Sequence, residues 1–222
     1  MQALFYSENG SPDVLTLGHQ PDPILRPAEV LIRVSATALN RLDIVQRNGW
    51  FTLPGFSLPH IAGMDLAGTV VGVGSSVSEI HVGDRVVADP SMHAIAGDSQ
   101  YTGFGERYGE LGVIGATHAG GYGELCAISA DHVHLLPDTM DFATAAVFPT
   151  AWMTTHHALF RIGDLRPGET LLMHGATSAL TLAATQLAIA AGARVLVTAA
   201  SEEKCAVAQK LGAAATTTNR EA

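Results

Sequence analysis

The chain has 222 residues, 47% hydrophobic and 15% charged, enough apolar material for one large core or two small ones. Its 12 basic residues face 21 acidic ones, a formal charge of −9. No window clusters the lysines and arginines that phosphate neutralisation needs, so nucleic acid and anionic membranes are excluded and a small molecule is the expected partner.

The N-terminal MQALFYSENG has no basic segment before an apolar run and is expected to be no signal peptide. Glu29 to Ala36 alternates apolar and polar residues, the period of a half-buried strand. Asp65 to Gly74 reads as a strand with glycines where a bulge or close packing fits. Asp84 to Asp89 and Glu124 to Ser129 are further short strands. Such spacing suggests a small barrel or sandwich over residues 1 to about 140. His132 and His134 flank Val133 on one strand face and are expected to be exposed. The lone His93 is expected at the surface, and Tyr101, Tyr108 and Tyr122 are equal candidates for a pocket.

Past Pro137 the pattern changes. Asp141 starts an alanine-rich stretch to Ala146, and Thr154 to Phe160 continues in helical character. Adjacent His156 and His157 diverge by about 100° on a helix and cannot chelate one ion together. Pro167-Gly168 is a turn. Thr170 to His174 is a short apolar strand. Ser178 to Ala191 has apolar residues at helical spacing and stops at Gly192. Leu182 to Ala193, the longest apolar stretch, is broken by Thr185 and Gln186 and is too short to span a bilayer. Arg194 to Thr198 is a second strand, and Ser201 to Leu211 a second helix with Ser201 as N-cap. Ala214 to Thr218 would be a third strand, giving β-α-β-α-β with parallel strands. Two cysteines, Cys126 and Cys205, make neither a disulfide framework nor a multi-cysteine zinc site, and a reducing cytoplasm is the expected compartment.

Leu39-Asn40-Arg41-Leu42-Asp43, Pro59 through Gly68 (PHIAGMDLAG) and Val82-Gly83-Asp84-Arg85-Val86 resemble the GroES-like half of medium-chain dehydrogenase/reductases. Gly120-Gly121-Tyr122-Gly123-Glu124, Ala145-Ala146, Thr154, Arg166 through Thr170 and Ser201-Glu202-Glu203-Lys204 continue the resemblance in order, over essentially the whole chain. Within that superfamily it resembles the quinone oxidoreductase branch. The implied fold is a GroES-like β-barrel domain, 1–140, followed by the first part of a Rossmann dinucleotide-binding domain, 141–222. The resemblance also implies a dimer.

In zinc-dependent members a Cys stands at Asn40, a His-Glu pair at Met64-Asp65, and often another ligand at Thr150. Catalytic zinc takes three protein ligands of soft or borderline type, which Asn, Met and Thr do not supply. The segment Pro90 to Gly121 has the length of the structural-zinc lobe but no cysteine. No metal is expected. Carbonyl polarisation then falls to hydrogen-bond donors, which favours reduction of a quinone or an α,β-unsaturated carbonyl. Asn40 is the first catalytic candidate by resemblance, with helix capping over 40–47 as the plain alternative. Asp43 would serve that helix structurally, and Asp65 would orient Asn40 or Arg41. Thr154 resembles the threonine that touches the nicotinamide face; the alternative is a buried hydroxyl bonding back to a helix carbonyl.

A dinucleotide site wants glycines after its first strand. Here the loop reads Gly175-Ala176-Thr177-Ser178-Ala179-Leu180-Thr181, whereas relatives have glycine at Thr177, Ala179 and Thr181. The helix start still offers amides to a pyrophosphate, though the added Cβ atoms should weaken binding. No Asp or Glu ends the second strand, and Lys204, beside Ser201, matches a lysine of relatives that use the phosphorylated cofactor, so NADPH is expected over NADH. Asn219 replaces a tyrosine that relatives hold against the adenosine. Three strands fall short of the six of a full sheet, so the sequence is expected to belong to a longer polypeptide. The reading is a zinc-independent NADPH-dependent reductase; a non-catalytic binding or scaffolding relative is the alternative that the glycine-poor loop favours.

Overall fold

A computed structural model describes residues 1–53, 55–93 and 111–219, in two compact units, Met1–Thr150 and Ala151–Ala222. Tyr101 and Tyr108 lie outside the described residues, as does the side chain of His93.

The first unit contains β1 (Gln2–Tyr6), β2 (Thr16–His19), β3 (Glu29–Ala38), α1 (Arg41–Arg47), β4 (His60–Ile61), β5 (Asp65–Val73), β6 (Arg85–Ala88), β7 (Ser91–His93), β8 (Leu111–Val113), β9 (Leu125–Ser129), β10 (Val133–Leu135) and α2 (Phe142–Ala146). Its main sheet is antiparallel in the order β10-β6-β5-β3-β9, with a second sheet β2-β1-β4 and the ribbon β7-β8. Among the described residues the strands form these separate sheets rather than one closed barrel. Alternation in β3 sends Val30 and Ile32 inward, where they meet Leu66, Val70, Val86 and Ile128. Gly68 answers the irregularity in β3: register shifts between Val34 and Ala36, and a Cβ at 68 would stand 2.1 Å from the Arg33 carbonyl oxygen. Helix α2, capped by Asp141 through the Thr144 amide, buries Ala145 and Ala146 against Ala67 of β5. That packing places 141–150 with the first unit.

The second unit contains a helical run with π geometry over Pro149–Met153 and His157–Ile162 around one α turn, α3 (Thr154–His156), the run beginning at the end of the first unit. It continues as β11 (Thr170–His174), α4 (Ala179–Ala190), β12 (Arg194–Ala199), α5 (Glu202–Lys210) and β13 (Ala215–Thr218). The strands pair in parallel in the order β11-β12-β13. The small residues Ala184 and Ala188 of α4 are fully buried and let the helix sit close to Val195 and Val197. Gly192 and Gly212 end the two helices with φ of +82° and +99°, where a Cβ would be strained.

Strand β2 gave no signal in the sequence, since it buries nothing and leaves Leu17 75% exposed; β1, which buries Ala3 and Tyr6, lacks strict alternation. His132 corrects an expectation of exposure. It lies in a 3-10 turn before β10, buried, 3.9 Å from Asp89, whose carboxyl His132 and Ser91 hold below its usual range against the opposing effect of burial. His134 is exposed as expected.

His60 of β4 is buried beside Tyr6 and Phe56, its Nε2 2.8 Å from the Gly115 carbonyl oxygen. Burial holds its imidazole below the usual range. A depressed folded value means that the unfolded chain takes up the proton first as pH falls. The first unit is therefore expected to lose stability from about pH 6.5 downward through this residue. Urea midpoints at pH 7.5 and 5.5 check this, and His60→Gln should flatten the difference.

Candidate functional site

Three sequence positions far apart converge on the start of β5. Asn40 is the N-cap residue of α1, in extended geometry, half-buried. Its backbone N–H donates to Asp43 Oδ2 at 2.7 Å, while its side-chain Nδ2 donates to Asp65 Oδ2 at 3.0 Å. The other Asp65 oxygen accepts from the Thr150 backbone N–H at 2.9 Å and hydroxyl at 2.7 Å. Asn40, Asp65 and Thr150 thus form one hydrogen-bonded group, with Met64 buried beside it. Burial raises the Asp65 carboxyl above its usual range, and the donors from Asn40 and Thr150 pull it partly back.

Asp43 is a second hub. It accepts from the Asn40 amide, from Gly63 N–H at 3.3 Å and from Tyr122 Oη at 3.1 Å, so it ties α1 to the loops at 62–64 and 120–123. Burial raises its carboxyl too, with backbone donors from Asn40 and Gly63 opposing. Burial and the nearby Asp43 charge push the Tyr122 phenol well above its ordinary value, so it stays a donor at any physiological pH. The sequence ranked Tyr122 no higher than other tyrosines; only the fold brings it to Asp43. A cleft of about 550 Å³ lies against Asp43 and Tyr122, walled by Leu4, Leu15, Leu17 and Ile44. Neither Asn40 nor Asp65 lines it, so it is not where Asn40 would meet a ligand.

In the second unit Thr154 is exposed on α3. The buried hydroxyl of that turn belongs to its neighbour Thr155, whose Oγ1 lies 3.4 Å from the Leu180 carbonyl oxygen. His156 and His157 are both exposed. The loop after β11 begins at Gly175, φ +79°, where an added Cβ would touch nothing within 4 Å. Ala176 is buried, whereas Thr177, Ser178, Ala179 and Leu180 are exposed. Ser178 caps α4, its hydroxyl accepting from Thr181 N–H at 3.1 Å and donating to Thr181 Oγ1. Thr181 itself is 1% exposed and donates to the His174 carbonyl at 3.0 Å. Its side chain therefore fills the seam between helix and strand and leaves the mouth clear. Among the described residues the N–H groups of Ala179 and Leu180 have no partner within the chain, which leaves two amides and the positive end of a 12-residue helix facing outward. Ser201 caps α5 by accepting from the Lys204 amide, and the Lys204 side chain is exposed. Asn219 donates its backbone N–H to Ala199 at 2.8 Å and is exposed.

Among the described residues no group of three or more His, Cys, Asp or Glu side chains is placed to hold a metal ion, and no helix is long and apolar enough to cross a membrane.

Residues 26–138 match the alcohol dehydrogenase GroES-like domain family. The chain is 35% identical over 217 residues to a quinone oxidoreductase of Lama guanicoe, covering 96% of this chain and 57% of that protein. It is 33% identical over 214 residues to a chloroplastic NADPH-dependent alkenal/one oxidoreductase of Arabidopsis thaliana, covering 96% and 51%. The chain thus spans about half the length of these curated relatives. Among solved structures it is similar to an NAD-dependent alcohol dehydrogenase, with TM-score 0.89, 32% identity and coverage of 99% and 64%. It is also similar to the Escherichia coli quinone oxidoreductase complexed with NADPH, with TM-score 0.82, 27% identity and coverage of 100% and 60%.

Proposed function

Since this chain belongs to the medium-chain dehydrogenase/reductase superfamily, in its quinone oxidoreductase-like branch, we propose that it acts as a zinc-independent, NADPH-dependent reductase of quinones or α,β-unsaturated carbonyls. The observation that carries this reading is the group around Asp65. Where the resemblance puts metal ligands in zinc-dependent relatives, this chain has Asn40, Met64-Asp65 and Thr150, and Asn40 and Thr150 are each hydrogen-bonded to Asp65. Neutral Asn and Thr are poor zinc ligands, and both Asp65 oxygens are already engaged. An amide N–H is instead the donor suited to charge building on a conjugated oxygen.

The residues present fit the cofactor. The Ala179 and Leu180 amides, with the exposed Thr177 and Ser178 hydroxyls, would take the pyrophosphate, and Gly175 with Ala176 would let it approach. Lys204, beside Ser201, would take the 2′-phosphate, since no carboxylate ends β12 to hold a free ribose hydroxyl. Bound NADPH supplies the hydride. Asn40 would donate a hydrogen bond to the substrate oxygen, and Thr154 would rest on the nicotinamide face. Two buried free thiols suit a reducing, cytoplasmic setting, and pairing of two copies is read by sedimentation.

Titration with NADPH, followed by its fluorescence, tests the reading. Saturation below millimolar cofactor is expected; none would leave a binding or scaffolding protein that keeps only the fold. Lys204→Glu is expected to weaken NADPH by about tenfold to a hundredfold, the size of a charge-assisted hydrogen bond, and to leave NADH unchanged. Equal loss for both cofactors would remove Lys204 from the 2′-phosphate.

A further inference from the structure

We propose that Asp65 is a positioning residue that fixes which edge of the Asn40 carboxamide is the donor. The inference rests on the reading of Asn40 as the group that meets the substrate oxygen, and its experiment separates the two.

Asp65 is 1% exposed at the start of β5, and its backbone is pinned as well, its carbonyl accepting from Thr37 Oγ1 at 2.6 Å. Thr150 spends both its donors on Oδ1, which leaves Oδ2 for Asn40. An ionised carboxylate only accepts hydrogen bonds. The edge of the carboxamide that faces it must then be NH2, because a carbonyl there would set two acceptors 3.0 Å apart. Of the two flips open to Asn40, Asp65 therefore selects one. The second N–H of Nδ2 is left for another acceptor, and its direction is set by residues that touch no ligand themselves.

Asp65→Asn keeps the shape and inverts this logic. The two Thr150 donors hold an oxygen at the Oδ1 position, so the new NH2 faces Asn40, which must turn its carbonyl inward. The donor then moves to the opposite edge of the carboxamide. A misplacement of that kind is expected to lower kcat about a hundredfold with a much smaller change in KM, since the lost bond is one that strengthens as charge builds on the substrate oxygen.

The direct test needs neither cofactor nor substrate. In the 15N-labelled chain, the two side-chain NH2 protons of Asn40 are expected to be well separated, the one on Asp65 shifted downfield and slow to exchange with solvent. In Asp65→Asn that signature should disappear. A wild-type Asn40 pair with equivalent, rapidly exchanging protons would overturn the proposal even if the variant failed to fold. So would an unchanged pair in the folded variant, or an unchanged kcat where Asn40→Ala has lost turnover. If Asn40→Ala keeps full turnover, the functional reading fails, while the amide spectrum still decides whether Asp65 holds Asn40.

Discussion

Gly120→Ala is expected to destabilise the first unit by about 3 kcal/mol, at the upper end of overpacking costs. A Cβ at this position would stand 2.3 Å from the Gly63 carbonyl oxygen, 2.5 Å from Gly115 Cα and 2.6 Å from the Ala62 carbonyl oxygen. All three neighbours are backbone, so no side chain can swing aside. The same backbone is tied by Gly120 N–H to the Ile61 carbonyl and by Gly121 N–H to that of Gly63, and moving it breaks both bonds. It also displaces Gly63 N–H and Tyr122 Oη, two of the donors that hold Asp43. Native-state hydrogen exchange of β3 and β5 amides reads the loss unit by unit. Gly18→Ala in β2 is the control, because its Cβ would rest 3.4 Å from the flexible Phe5 ring, and it should cost less than about 1 kcal/mol. A Gly120→Ala chain as stable as that control would mean that the loops at 62–64 and 120–123 are not locked together.

Asn40→Ala is expected to lower kcat by about 10²- to 10³-fold, the range found when one preorganised donor is removed from a developing oxyanion. Cofactor affinity should not change, because the groups assigned to it lie in the second unit. The helix should survive as well. Asp43 still accepts from the backbone N–H of residue 40, and an N-cap alanine costs about 1 kcal/mol. Burial of Asp65 sharpens the comparison. Its carboxyl is already raised above the ordinary range, so removing the Asn40 donor should raise it further, a change that a 13C NMR titration of the Asp65 carboxyl reads directly. A variant with unimpaired kcat would leave Asn40 as a capping residue only.

Much of the fold is legible along the chain because its signals are short-ranged. Alternation marks β3, and the turn from Gly175 to Ser178 with helical spacing to Gly192 marks α4, within a residue or two at each end. Ser178, Ser201 and Asp141 each cap the next helix through a hydroxyl or carboxylate that needs only three residues of chain. The site is less legible. A contact such as Thr150 to Asp65 joins residues 85 apart, and Tyr122 to Asp43 joins residues 79 apart. Neither leaves a trace in local periodicity.

The amino-acid sequence by itself determined the β-rich first part, the parallel β-α-β-α-β second part, and the presence of Asn40, Asp65 and Thr150 as an amide, a carboxylate and a hydroxyl. Folding alone decided that Asn40 and Thr150 both bond to Asp65, that Tyr122 reaches Asp43, and that Thr181 turns inward to the His174 carbonyl rather than into the loop mouth. The physical reason is that strand alternation and helix caps are fixed by neighbours along the chain. The direction of a buried polar side chain is fixed instead by whichever distant donor or acceptor the packing leaves unsatisfied.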